Sequence, residues 1–456
     1  MDFREIEQQI AQENIQTATQ LIEKLSEGQT QFNILYRADI SRLEGKYNVS
    51  LDLCDQILNI KEEISNSEAF VAKTIKAYTL FRIAKAQESD KLVLDCEWIY
   101  ESMTDEERSR CIYYYGKLIH LKGNLFLEKS FQLDAIKNFE KAIEVFESSN
   151  YISAKVGSLL NIGNVYTNLG QTEKGREYLE AARTIHNQQT EHSTRLSYWI
   201  NLQLGINYVQ GGEYDSGVQF FEEAIKLAQM LDNQLLEGTP ILNLMWYYLR
   251  VDKRDLAKPY LDKYLEIAEK YDTTETRLSS KLAKAVYLKT SNKVKQIIEA
   301  QKILEELITI DDQYTSRFSV LASIFLIEIL LDELKSYGEE EIFGQILELT
   351  EKLQHEAEIH HSINLNIPVL LLQSKLALVN GNIIESNKML EQAEKLAKDN
   401  KINLHMIAIQ KEKDKMRTEM AKWEEIIHKG ASIKEKMDLI HYQEYIENAK
   451  KVVGRA

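Results

Sequence analysis

Leu159-Leu160-Asn161-Ile162-Gly163-Asn164-Val165-Tyr166, followed by Gly170, Gly175, Leu179 and Ala182, is the stretch that decides the fold. Its apolar and small residues recur at helical spacing on both sides of one turn, which predicts two antiparallel helices. The same slots return along the chain. Leu204-Gly205, Tyr208, Gly212, Gly217, Phe221 and Ala224 fill them 42 residues later (205 − 163 = 42), and Gly123, Phe126, Ala135, Phe139 and Ala142 fill them 40 residues earlier (163 − 123 = 40). Met245, Tyr248, Ala257, Leu261 and Tyr264 continue the series. Further copies stand at Gly45-Lys46-Tyr47 with Ser50, Cys54 and Ile57, and at Gly381-Asn382 with Ser386, Leu390 and Ala393. Residues 68–104, 275–310 and 318–356 keep the length and amphipathicity but lose the small residues.

A Gly or Ala midway along the first helix and another near the start of the second allow two backbones to approach, with aromatic rings filling the space beside them. Gly170 and Gly212 are placed to supply the positive φ that ends a first helix. No single pair buries its own apolar faces, so the pairs must stack into an all-α solenoid of antiparallel helix pairs. The expected organisation is an N-terminal capping helix within residues 1–30 (Glu5 to Leu25), about nine pairs over residues 31–398, clearest in 116–265 and 370–396, and a long helix plus a capping helix over 399–456. The last two helices, Ile402 to Ile427 and Ile433 to Val453, have a second reading as a docking element for a partner or another protomer.

Composition agrees. The 456 residues include 3 prolines and 18 glycines, against about 23 and about 32 at average usage. Nine of the glycines occupy repeat slots: Gly45, Gly123, Gly163, Gly170, Gly175, Gly205, Gly212, Gly217 and Gly381. Pro240 and Pro368 are expected at helix starts, and Pro259 as a kink. The 44% apolar content argues against disorder, and scarce Gly and Pro argue against a many-stranded sheet protein.

The repeat resembles the tetratricopeptide repeat, in the longer-helix form typified by kinesin light chain and related cargo adaptors. The resemblance is specific over residues 116–265 and around 381–393, and it implies a right-handed superhelix whose first helices line a concave groove for an extended peptide or a partner's helix. Carried onto that face are Asn124, Leu160, Asn161, Asn164, Thr167 and Asn168, then Trp199, Leu202, Gln203, Ile206 and Gln210, then Thr239, Asn243, Trp246 and Arg250. Carboxamides suit such a face because each donates and accepts at once, matching a peptide backbone without demanding its sequence. Trp199 and Trp246 are the candidate anchors. The slots in which some relatives clamp a C-terminal carboxylate read His120, Asn124, Asn161, Trp199 and Gln203; the asparagines match and the cations do not, so tail recognition is not expected. The implied function is a non-enzymatic interaction scaffold or adaptor with a protein or peptide partner. The alternative is a ligand-responsive regulator whose solenoid encloses a short signalling peptide or small molecule; no N-terminal DNA-binding or phosphatase-binding module is evident to favour it.

Other chemistries find little support. His355-Glu356-Ala357-Glu358-Ile359-His360 carries one residue too many for HExxH, which turns the second histidine about 140° around a helix. His360-His361 and Asp311-Asp312 read as surface and turn residues. No phosphate-binding, dinucleotide-binding or nucleophile-elbow motif occurs, so no cofactor and no metal are expected. Cys54, Cys96 and Cys111 make neither a disulfide framework nor a CxxC. Tyr113-Tyr114-Tyr115 and Tyr247-Tyr248 read as packing between helices. Net charge of −15 argues against nucleic acid. The charged N-terminus lacks a secretory pattern, and the run Val320 to Leu331 is too short for a bilayer and reads as a buried helix. A cytoplasmic setting without membrane attachment is expected.

Overall fold

The computed structural model describes residues 3–24, 30–60, 64–83, 85–129, 131–189, 193–310, 316–359, 362–399 and 403–453. Those residues form 24 α-helices and no strand, an all-α solenoid architecture of antiparallel pairs. Two compact units divide at Pro240 and Ile241. His360, His361, Asp311 and Asp312 fall outside the described residues.

The first unit opens with α1 (Phe3–Ala11) and α2 (Ile15–Glu23). One capping helix was expected here; the chain instead breaks at Glu13, which takes a left-handed φ of 57°. Pairs follow: α3 (Thr30–Leu43) with α4 (Tyr47–Leu58), and α5 (Asn66–Arg82) with α6 (Ala86–Ser102). After a short α7 (Asp105–Arg110) come α8 (Ile112–Glu128) with α9 (Gln132–Ser148), α10 (Lys155–Asn168) with α11 (Thr172–Asn187), and α12 (Thr194–Gln210) with α13 (Tyr214–Met230). A 3-10 turn, Ile152–Ala154, precedes α10.

Close approach within the pairs α8–α9, α10–α11 and α12–α13 depends on glycines. A Cβ at Gly205 would lie 2.7 Å from the Phe221 ring, and one at Gly163 would lie 2.7 Å from Leu179 and 3.0 Å from the Gly175 carbonyl oxygen. Such contacts are shorter than packed atoms tolerate. Gly170 and Gly212 turn the chain at φ 76° and 86°; after α14 (Gln234–Arg250), Asp252 adopts φ 56° in the equivalent slot. A short polar side chain is the usual substitute for glycine there.

Pro240 and Pro368 sit deeper in helices than expected, whereas Pro259 lies a few residues into a second helix as expected. Pro240 lies in the second turn of α14, where it cannot bond the Leu236 carbonyl four residues back. The Tyr198 hydroxyl donates to that oxygen instead, at 2.7 Å, so a side chain of α12 supplies the bond that proline removes. Pro259 and Pro368 likewise lie inside helices.

The second unit continues from α14 with α15 (Arg254–Tyr271), the pair α16 (Thr274–Lys289) and α17 (Val294–Ile308), α18 (Ser316–Tyr337) with α19 (Glu340–Ile359), and α20 (Ile363–Val379) with α21 (Ile383–Asp399). Here long aliphatic side chains replace the small residues, and one core runs from Leu278 to Ala449. The expected buried run Val320 to Leu331 lies in α18; among the described residues no helix is long and apolar enough to cross a membrane. The chain ends with α22 (Asn403–His428), α23 (Ile433–Met437) and α24 (Gln443–Val453), the last two standing where a single helix was expected.

Candidate functional site

The first helices of the first unit face one another across an inner side. Lys117 of α8 reaches Asp39 of α3 at 2.5 Å, and Arg195 of α12 donates to the Leu43 carbonyl oxygen at the end of α3 at 2.6 Å. The inside of a curved stack brings together helices that are two and four pairs apart.

That side is partly filled by its own polar groups. Asp39 is fully buried and accepts from Arg42 at 2.8 Å, from Lys117, and from the Tyr114 hydroxyl at 3.3 Å. Burial alone would raise this carboxyl, but the two cations outweigh it and hold it at about 2. The Lys117 ammonium lies 5.2–5.6 Å from the ring centres of Tyr78, Tyr113 and Tyr114, cation–π distances. Nearby, buried Glu7 of α1 accepts from Tyr36 at 3.2 Å and from Tyr151. The N-terminal hairpin is thereby tied to the 3-10 turn before α10. A polar cleft of about 250 Å³ opens beside this contact, lined by Gln8, Gln12, Asn150, Ser153 and Gln189 among others.

Further along, the His120 ring stacks on Tyr78 and packs on Phe139. Burial, reinforced by the positive charges of Lys117 and Arg42, lowers its imidazole to about 4, so it is neutral. Asn161 Nδ2 donates to His120 Nε2 at 3.3 Å and to Asn124 Oδ1 at 2.8 Å. Nε2 therefore carries the lone pair, and Nδ1–H donates to Ser158 Oγ at 2.8 Å. Both amides are fixed by this relay. Asn161 retains its carbonyl oxygen and Asn124 its NH2 group for other contacts: one acceptor and one donor, from adjacent first helices.

The structure distributes the remaining candidates unevenly. Asn164, Asn168, Gln203, Ile206 and Gln210 are half-buried on α10 and α12. Leu160 and Leu202 are core residues. Thr167 does not line a groove: it is buried, donates to the Gly163 carbonyl oxygen and accepts from Asn207 at 2.7 Å. The hydroxyl is committed to its own helix and to Asn207 of α12, and it stands against Gly175 of the paired helix. Trp199 is half-buried, edge-on to Tyr198 at 5.0 Å. Asn243 and Trp246 are half-buried and Arg250 is exposed, and all three belong to the second unit, where Trp246 packs on Phe325 at 5.4 Å as part of the core. Sequence reasoning missed Asp39, Arg42 and Lys117, which lie in weakly patterned helices. It also missed Trp98, 72% exposed beside Leu94 on α6, where the repeat has lost its signature. Among the described residues no group of His, Cys, Asp and Glu is arranged to hold a metal, and burial pushes all three cysteine thiols up to about 12.

Residues 156–185, covering α10 and most of α11, match the tetratricopeptide repeat family. The chain thus carries a tetratricopeptide repeat at residues 156–185. Among curated proteins, the transcriptional activator NprA of Geobacillus stearothermophilus is 27% identical over 156 residues, an alignment spanning 34% of this chain and 36% of that relative. Among solved structures, a Rap protein complexed with competence and sporulation factor has a TM-score of 0.55 at 13% identity, covering 78% of this chain and 96% of that one. NprR in complex with its cognate peptide NprX has a TM-score of 0.54 at 13% identity, covering 82% and 100%. At such identities the likeness is one of tetratricopeptide-type fold.

Proposed function

We propose that the protein is a non-enzymatic, cytoplasmic interaction scaffold that binds an extended peptide segment on the inner side of its first unit. One observation carries the reading: the His120–Asn161–Asn124 relay fixes two amides and leaves one acceptor and one donor, which would meet the chain of a bound peptide. Asn164, Gln203 and Ile206 would continue the face, with Trp199 as its apolar wall. The proposed site lies wholly in the first unit, so Asn243, Trp246 and Arg250 are not part of it. A peptide backbone presents the complementary NH and C=O groups regardless of side chains, so amides would supply affinity and the wall would supply selectivity.

A second reading deepens the first: the peptide is a signal, and binding regulates the protein. The buried ion cluster favours it, because Asp39, Arg42 and Lys117 couple α3 to α8 and give the inner side a polar lining. A Rap protein and NprR, similar in fold, were solved with competence and sporulation factor and with the cognate peptide NprX, respectively. Peptide display against the intact protein tests both readings. Peptides enriched on the wild type should bind Asn124→Ala/Asn161→Ala at least tenfold more weakly, the loss of one to two hydrogen bonds. Equal binding to both proteins refutes the site. A shift in exchange or crosslinking between α3 and α8 on binding separates the regulator from the passive scaffold.

A further inference from the structure

The second unit carries its own occupied groove. Its first helices are α16, α18, α20 and α22, and α24 is the C-terminal helix. α24 packs mainly on α18 and α20, and so lies on the first-helix side of the stack. Tyr442, Tyr445, Ile446 and Ala449, spaced i, i+3, i+4 and i+7, are all buried in the core of that unit. Tyr442 donates to Asp332 of α18 at 2.6 Å; Lys450 reaches Glu328 at 2.7 Å and lies 5.1 Å from the Phe325 ring centre.

The polar partners of α24 are not dependent on it. Glu328 is also paired with Lys289 of α16 at 2.8 Å, and Glu412 of α22, which accepts from Tyr445, is also paired with Lys375 of α20 at 2.5 Å. Removal of α24 leaves both buried carboxylates neutralised, so electrostatics do not lock it in place. The apolar side of the groove behaves differently. α20 is apolar on nearly every face, and without α24 its inner face would be bare. The groove can lose α24 cheaply in charge, but it must hold some amphipathic helix.

We propose that the inner face of the second unit is a helix-binding groove, occupied in cis by α24, and that it accepts in exchange a partner protein's amphipathic helix with the same pattern. That pattern is aromatic at i and i+3, aliphatic at i+4, small at i+7 and basic at i+8. The geometry is independent of the peptide reading of the first unit.

The test uses the full chain and a fluorescent peptide of residues 440–453. A chain with Ile446→Glu and Lys450→Glu, whose own α24 is weakened, should bind this peptide at least tenfold more tightly than wild type, and a peptide carrying Ile446→Glu should not bind. Equal affinity of wild type and variant overturns the proposal. A variant that dimerises without taking up peptide would place a second copy in the groove and overturn the partner assignment. Hydrogen exchange on the wild-type chain serves if the variant does not fold. Excess unlabelled peptide should accelerate exchange in the resident α24, and unchanged exchange at saturating peptide overturns the exchange mechanism.

Discussion

Gly175→Ala offers the sharpest test of the repeat register. A Cβ at this position would lie 2.8 Å from the Gly163 carbonyl oxygen and 2.9 Å from the Thr167 backbone nitrogen. Both neighbours are main-chain atoms of α10, so relief requires the two helices to separate rather than a side chain to turn. Overpacking of this kind costs about 1–3 kcal/mol, and backbone neighbours put the site at the upper end. Alanine returns about 1 kcal/mol in helix propensity. The net loss is about 2 kcal/mol, which lowers the melting temperature of a unit of this size by about 4–8 °C. Gly344→Ala is the matched control, since a Cβ on that α19 glycine meets nothing within 4 Å. It should stabilise by about 1 kcal/mol. Calorimetry of both variants decides the matter. A Gly175→Ala protein as stable as wild type, or stabilised like Gly344→Ala, would refute the close-packing account of the repeat.

Three other outcomes follow from the inner side of the first unit. His120 is held at about 4, below its ordinary value near 6.5, so the unfolded chain takes up that proton first. Its contribution to stability is constant above pH 6.5, falls as pH drops toward 4 and levels off below, by at most roughly 3 kcal/mol for a ring that is only part-buried. Urea midpoints measured from pH 7 to 4 should show this slope in wild type and lose it in His120→Gln; parallel profiles contradict the neutral histidine. Asp39→Asn leaves Lys117 and Arg42 without a counter-charge and should destabilise the first unit by about 3–5 kcal/mol, read from denaturant unfolding; a loss under 1 kcal/mol would show the cluster to be open to water. Tyr198→Phe frees the Leu236 carbonyl oxygen opposite Pro240 and should cost about 1–2 kcal/mol, whereas a Tyr198→Phe/Pro240→Ala double variant should recover most of it; failure to recover argues against the substituted bond.

Most of the first unit was legible because its constraint is steric. Gly163, Gly175, Gly205 and Gly217 each stand against a named atom of the paired helix, and a residue with no side chain has few substitutes there. The second unit was harder to read, since leucine and isoleucine fill its spaces and many apolar residues fit such a role. Its C-terminal helix looked like a cap because amphipathicity says that one face is buried but not against what. The inner-side charges were invisible for a related reason: Asp39 and Lys117 are 78 positions apart, and nothing local distinguishes a buried ion from a solvated one. Asn161 was singled out from its repeat slot, but its setting by His120 and Asn124 is a property of two helices together. Both candidate tryptophans, Trp199 and Trp246, are half-buried. Trp246 contributes to a core, and the exposed one, Trp98, lies where the repeat signature has faded.

The account stands or falls on where a captured peptide sits. A peptide selected on the intact protein, followed by hydrogen exchange of the complex, maps that directly. The account predicts new protection on α8, α10 and α12 of the first unit, centred on Asn124, Asn161 and Gln203. Protection confined to the outer helices α9, α11 and α13 would contradict it.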